Sequence, residues 1–415
     1  MTRKLSLRFL ITAVVYFLAA CTLGIGMLFQ VFPITRDVIV SHAHIALLGF
    51  VSATIIGTMY QQVPTFTSAD LYSKILGEIS FWMLNLGLIG FVVGITTYGF
   101  EPFTLLFSLF LLIAVYAFAA NIFLTVKNKR AWTFTLWFYV MSVVYLVLGS
   151  TLGLIIVLMR MEILELWRIL PSSSKLIASH AHIGALGWIS VIIIGAMSWM
   201  LPMVVMKDIY SERLVRQVFW VFNAGVVGFF LSLIATGFGV TTIIFAIIVI
   251  IGTLLFTYLM YKTASGESKM KMKVTSTEAK FLEAAILYFL AVVIVGLVML
   301  LNRDILRELS FGHVHLAMLG WVSLTIFGGM YHLIPMLTWA NMAEKKVKSL
   351  PSNFKELYSE RLSWVIFILA NIGIVGLFLG SLISVPIMKA SALVFFLSAL
   401  IFSFEMLNIA RKGIF

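Results

Sequence analysis

Apolar positions in this chain do not alternate with polar ones in short stretches. They run on for about 20 residues or more at a time. Twelve such runs follow one another, at 7–32, 38–62, 73–98, 102–126, 131–158, 176–204, 211–237, 240–261, 281–301, 309–337, 361–384 and 387–410. Each is long enough, at about 1.5 Å per residue, to cross a bilayer. Backbone inside lipid must satisfy its own hydrogen bonds, so each run is expected to be a helix. The pattern therefore predicts an all-α integral membrane protein of twelve transmembrane helices. Residues 1–415 form a single transmembrane domain in this reading, because no loop is long enough to fold alone. The longest connections, Lys262–Lys280 and Ala340–Glu360, are expected to be short charged loops.

The pattern also repeats at long range. H-x-H pairs fall at His42/His44, His180/His182 and His313/His315, and take six of the seven histidines. Seven positions after the first histidine of each pair stands Gly49, Gly187 or Gly320. Ten after stands Ser52, Ser190 or Ser323, and twenty-two after stands Pro64, Pro202 or Pro335. The next run carries Tyr72…Asn85, Tyr210…Asn223 or Tyr358…Asn371, and the preceding one Tyr16…Gly24, Tyr145…Gly153 or Tyr288…Gly296. The chain thus reads as three four-helix units, roughly 7–126, 131–261 and 281–410, with a histidine pair on the second helix of each. Most of the glycines and prolines are expected to serve helix packing and helix ends.

Composition agrees: 62% of residues are hydrophobic and 11% charged, which excludes an ordinary soluble domain. The +12 net charge reads as topology rather than nucleic-acid binding. With a cytoplasmic N-terminus, 22 of the 29 Lys and Arg fall on the cytoplasmic side, as positively charged inner loops require. This predicts a cell-membrane protein with both termini cytoplasmic and the histidine pairs near the outer face. Cys21, the only cysteine, leaves neither disulfides nor thiolate metal sites. LAAC at 18–21 resembles a lipoprotein cleavage site, but the repeat makes 7–32 a first helix with counterparts deeper in the chain.

Ionisable residues in a membrane helix are costly and usually functional. On an α-helix, residues i and i+2 point about 200° apart, so the two rings of one H-x-H face different neighbouring cavities. Three such helices around a common axis would bound three cavities, each receiving the first histidine of one helix and the second of another. Facing imidazoles suit an axially ligated haem iron. Hydrogen bonds to backbone carbonyls, or a polar pocket, are the structural alternative. The rotation alone leaves open which first histidine meets which second; the resemblance given below implies His42 with His315 and His182 with His313, which leaves His44 with His180 as a third pair for a haem, a metal ion, a water or a direct contact. His332, 19 residues past His313, is expected to be a helix-end or interfacial residue at the opposite face.

Twelve helices in three units, with histidines on the second, sixth and tenth, resemble catalytic subunit I of the haem–copper oxidases and nitric oxide reductases. The stretch FGHVHLAMLGWVSLTIFGGMYHLIP, residues 311–335, carries the likeness best. The resemblance implies His42 and His315 as ligands of a low-spin haem, His313 as axial ligand of a high-spin haem, and His182 as a copper ligand or second axial ligand. It implies two b-type haems, with a third open at His44 and His180. It further implies a place in a respiratory chain, with membrane lipid around the protein and an electron-donor subunit, cytochrome or quinol as partner. The absence of C-x-x-C-H excludes covalent c-type haem.

The chain departs from the family pattern in several places. Its seventh helix has no histidine, so two copper ligands are missing, and copper is left with one. No tyrosine follows the sixth-helix pair at the family spacing; Gly184 and Leu186 stand there. Glu405 is the only acid deep in an apolar run, and no polar proton path is evident. Two functions therefore stay open: redox chemistry with oxygen or nitric oxide, and a non-enzymatic cytochrome for electron transfer, nitric oxide response or haem and metal handling. A transporter with histidine-lined cavities is weakened by the lack of intramembrane acids near the histidines.

Overall fold

In a computed structural model of the protein, described for residues 2–129, 133–162, 171–267, 276–347 and 350–414, twelve helices are long and apolar enough to cross a membrane. They are α1 (Thr2–Leu28), α2 (Arg36–Thr67), α3 (Lys74–Thr97), α4 (Pro102–Lys127), α5 (Phe134–Arg160), α6 (Ser173–Val205), α7 (Glu212–Thr236), α8 (Val240–Ser265), α9 (Thr277–Leu301), α10 (Glu308–Glu344), α11 (Glu360–Ile383) and α12 (Val385–Gly413). No strand occurs among the described residues. Residues 131–132 of the fifth expected run, and 268–275 of the loop before α9, lie outside them.

Some boundaries differ from the expectation, with physical reasons. Pro64, Pro202 and Pro335 do not end their helices; each sits inside, and the helix continues to Thr67, Val205 or Glu344. Proline removes one backbone donor, and neighbouring helices let a membrane helix tolerate that. The expected loop Ala340–Glu360 accordingly begins as helix and holds a short 3-10 turn at Phe354–Leu357.

The helices α6 and α10 form the most buried spans, and α2, their counterpart in the first unit, is half buried. In α6 and α10, 78% of the most apolar stretch is buried inside the bundle, against 28% in α9. The repeated residues explain how these central helices are gripped. Tyr16, Tyr145 and Tyr288 each donate a hydrogen bond to the side-chain carbonyl of Asn85, Asn223 or Asn371, at 3.0, 2.9 and 3.0 Å. Each asparagine then donates its amide to the carbonyl four residues back: Phe81, Phe219 or Phe367. The first and third helices of each unit are thereby tied together. The same tyrosines press on Gly49, Gly187 and Gly320, where a Cβ would come within 2.6–2.7 Å of the ring. Only glycine permits that approach.

The third helix of each unit starts on a serine. Ser73, Ser211 and Ser359 accept hydrogen bonds from the amides of Leu76, Leu214 and Leu362, capping α3, α7 and α11. At the end holding the chain termini, Arg3 of α1 meets Glu344 of α10 at 3.4 Å. Arg8 forms a two-pronged pair with Glu78, at 2.7 and 2.9 Å. This end is called the terminal end below, and the opposite one the histidine end.

Candidate functional site

Each H-x-H pair closes the α-helical opening of its helix, at Arg36–His44, Ser173–His182 and Leu306–His315. Directly after each pair the helix becomes a π-helix of eight residues: Ile45–Ser52, Ile183–Ser190 and Leu316–Ser323. Such segments are rare and concentrate at functional sites. Nothing in the local sequence announces them, since the extra residue per turn is held by packing around Gly49, Gly187 and Gly320. Ser190 and Ser323, which end two of the segments, donate to the carbonyls of Ala185 and Met318 five residues back, both at 2.8 Å.

The second histidine of every pair behaves alike. The Nδ1 atoms of His44, His182 and His315 lie 2.8, 2.8 and 2.9 Å from the carbonyls of Val40, Ala178 and Phe311. A carbonyl only accepts, so the ring proton sits on Nδ1 and each Nε2 keeps its lone pair. Aromatic rings steady these imidazoles: Phe91 lies 4.9 Å from His44, Phe229 5.2 Å from His182, and Phe311 4.0 Å from His315.

The first histidines also share a setting. His42, His180 and His313 each abut a glycine of the preceding helix, Gly24, Gly153 or Gly296, where a Cβ would approach the ring within 3.0–3.2 Å. His180 Nδ1 bonds the Gly149 carbonyl at 2.9 Å. The corresponding carbonyl near His42, that of Ala20, is out of hydrogen-bonding geometry, and the buried Nδ1 atoms of His42 and His313 have no partner.

Across helices, the rings meet in three pairs. His42 of α2 lies within electrostatic range of His315 of α10, His313 of α10 within range of His182 of α6, and His44 of α2 within range of His180 of α6. The last pair is the best resolved, with ring centroids 6.3 Å apart and planes inclined by 18°. Among the described residues, no three His, Cys, Asp or Glu side chains come together as a metal-ion group. His332 lies apart, inside α10, edge-on to Phe354 at 5.2 Å.

The axis between the central helices carries a polar ladder that the sequence did not reveal. Trp188 of α6 donates to Ser52 of α2 at 3.0 Å, and Trp321 of α10 donates to Ser190 of α6 at 3.1 Å. The third position of this ring is Phe50, which packs on Phe17 at 4.4 Å instead. The signal was present as Phe50, Trp188 and Trp321, each eight residues after a first histidine.

A second polar cluster lies at the terminal end. Glu405 of α12 is buried and accepts from the Tyr331 hydroxyl at 2.6 Å and the Ser359 amide at 2.9 Å. Glu278 of α9 is 1% exposed and accepts from the Tyr358 hydroxyl at 3.0 Å. Glu278 escaped sequence reasoning because it sits in a charged stretch next to Lys280 and reads as loop.

The profile of the family "Cytochrome C and Quinol oxidase polypeptide I" matches residues 99–245 and 307–395. An uncharacterized protein of Aquifex aeolicus is 25% identical over 302 residues, which cover 72% of this chain and 71% of that protein.

Proposed function

The chain belongs to the cytochrome c and quinol oxidase polypeptide I family, and from that premise we propose that it is a multi-pass membrane haem protein carrying out redox chemistry with oxygen or nitric oxide. A low-spin b-type haem sits between His42 and His315. A second haem is bound through His313, with His182 opposite. An electron-donor subunit, cytochrome or quinol supplies the electrons.

One observation carries the reading. Each second histidine is locked by its own helix into the tautomer that leaves Nε2 unprotonated, and each lies beside a histidine from another helix. That is the donor set a haem iron accepts at its two axial positions. Haem iron supplies one-electron transfer and, where an axial position opens, binding of a diatomic gas. The chain's own residues do the rest. Phe311 and Ala178 hold the proton on Nδ1 of His315 and His182, so neither ring can turn away without breaking a hydrogen bond. Gly24 and Gly296 clear space for the His42 and His313 rings. Copper fits less well: besides His313, no third His, Cys, Asp or Glu donor joins His182 among the described residues, and no step is assigned to copper.

The same observation favours one second reading. If His182 and His313 both held the second haem, no position would stay open for a gas, and the protein would be an electron-transferring or nitric-oxide-responsive cytochrome. Carbon monoxide separates the two. Under the first reading, reduced protein shows one carbon-monoxide-sensitive haem, and His313→Ala abolishes the response. If no haem responds, the gas chemistry is excluded and the cytochrome stands.

A further inference from the structure

We propose that the cavity between His44 and His180 is a third bis-histidine haem site, with the haem propionates directed to Arg36 and Arg160. This goes beyond the two sites above and does not depend on their ligand assignments.

The hydrogen bonds come first. Both rings of this pair have their Nδ1 proton committed to a carbonyl, His44 to Val40 at 2.8 Å and His180 to Gly149 at 2.9 Å. Both Nε2 atoms are therefore acceptors, and two acceptors cannot bond each other. Whatever joins them must be a Lewis acid or a molecule with two protons to donate.

Spacing selects the Lewis acid. Two imidazoles bound on opposite sides of one metal, at bonds of about 2.0–2.1 Å, put their ring centres about 6.4 Å apart. The observed separation is 6.3 Å, with nearly parallel planes. A water would find only the Ser108 and Ser150 hydroxyls besides the two rings, because the rest of the lining is apolar, with Leu48, Leu84, Phe91 and Leu111 among it.

The donor count then selects haem over a bare ion. Zinc or copper(II) takes four ligands, or three and a water, and no third His, Cys, Asp or Glu joins this pair among the described residues. A divalent ion held by two neutral rings would also leave its charge uncompensated in an apolar cavity. A porphyrin brings four nitrogens and two negative charges of its own, and leaves two axial positions for the protein.

The mouth of the cavity supplies the remaining requirement. Ser150, Gly153, Leu154 and Val157 of α5 line the cavity, and Arg160 lies one turn further on the same face. Arg36 stands on the His44 face of α2, at i−8 through Val40. Arg160 Nε is buried without a partner, and the two guanidinium groups are close enough to repel. Neither pairs with an acid among the described residues; Arg36 lies only over the Phe100 ring, at 5.5 Å. Two neighbouring cations without acidic partners, one to two helical turns beyond the cavity-lining residues of α5 and α2, match the two carboxylates at one edge of a haem.

The test counts haems. Haem extracted per chain, and low-spin signals in the electron paramagnetic resonance spectrum of oxidised protein, are measured for wild type and for His44→Phe/His180→Phe. One haem per chain and one low-spin signal should disappear, while the signal removed by His42→Ala persists. His44→Gly, with imidazole added back, should restore the lost signal and so exclude misfolding as its cause. Arg160→Gln should lower the midpoint potential of that haem alone. Unchanged haem content in the double variant overturns the third site and leaves the other two standing. Loss of a metal ion without loss of haem overturns its identity as haem. A wild-type protein without any haem overturns this site and the proposed function together.

Discussion

At the scale of single residues, the histidines divide by what their Nδ1 atoms touch. His44, His182 and His315 are each held by a carbonyl four residues earlier on their own helix. Their orientation is thus a local property, and would survive changes elsewhere. The partners across the cavities come from other helices, so removing either member of a pair must produce the same loss. His42→Ala and His315→Ala should each abolish the same six-coordinate low-spin signal in absorbance and magnetic resonance spectra. Two different spectra from these variants would show the pairing to be wrong. The Tyr–Asn bonds are purely structural by contrast. Tyr145→Phe leaves Asn223 without its partner, and should destabilise the protein by about 0.6 kcal/mol, at most ~1.7. Unfolding in mixed detergent measures this, with haem content unchanged.

At the scale of the element, the π segment after each histidine pair sets how the pair is aimed. The eight residues Ile45–Ser52, Ile183–Ser190 and Leu316–Ser323 wind more widely than α-helix, so they rotate the histidine end of each helix relative to the rest. Removing one residue restores α-helical pitch and turns the pair by about 100°. Deleting Ala317 should therefore move both His313 and His315 out of their cavities at once. Loss of both corresponding haem signals is expected, while the signal assigned to His44 and His180 remains. Retention of all signals would mean that the π segment does not aim the histidines. The tryptophan ladder has a smaller role of the same kind: Trp188 and Trp321 fix the depth of α6 against α2, and of α10 against α6.

At the scale of the whole molecule, the charges at the two ends differ. The terminal end carries most of the Lys and Arg, which motivates cytoplasmic termini and a histidine end facing outward. In a Cys21→Ala background, Lys129→Cys should be labelled only from inside and Ser174→Cys only from outside, by a membrane-impermeant thiol reagent. The reverse pattern would put the histidines near the cytoplasm. With cytoplasmic termini the histidine pairs would lie near the outer face. The buried acids Glu278 and Glu405 lie at the terminal end, away from the histidines.

The periodic run of apolar residues, read alone, already determined a twelve-helix membrane bundle, because lipid permits no other backbone arrangement for such runs. The repeated histidines, tyrosines, asparagines and glycines determined which positions correspond. A turn of about 200° between i and i+2 was enough to anticipate that first histidines meet second ones across helices, since that angle depends only on the local α-helix, while the choice of partners came from the family resemblance. Other features waited for the tertiary structure. The π segments are one, because their extra residue is stabilised by neighbours and not by local propensity. The continuation of α2, α6 and α10 past proline is another, because the missing donor is tolerated only where helices pack around it. The proton positions on His44, His182 and His315 are a third, because they require knowing that Val40, Ala178 and Phe311 turn their carbonyls toward the rings. The neighbouring Arg36 and Arg160 are the last: in the sequence they are two separate basic residues 124 positions apart, and only folding brings them within electrostatic range of each other.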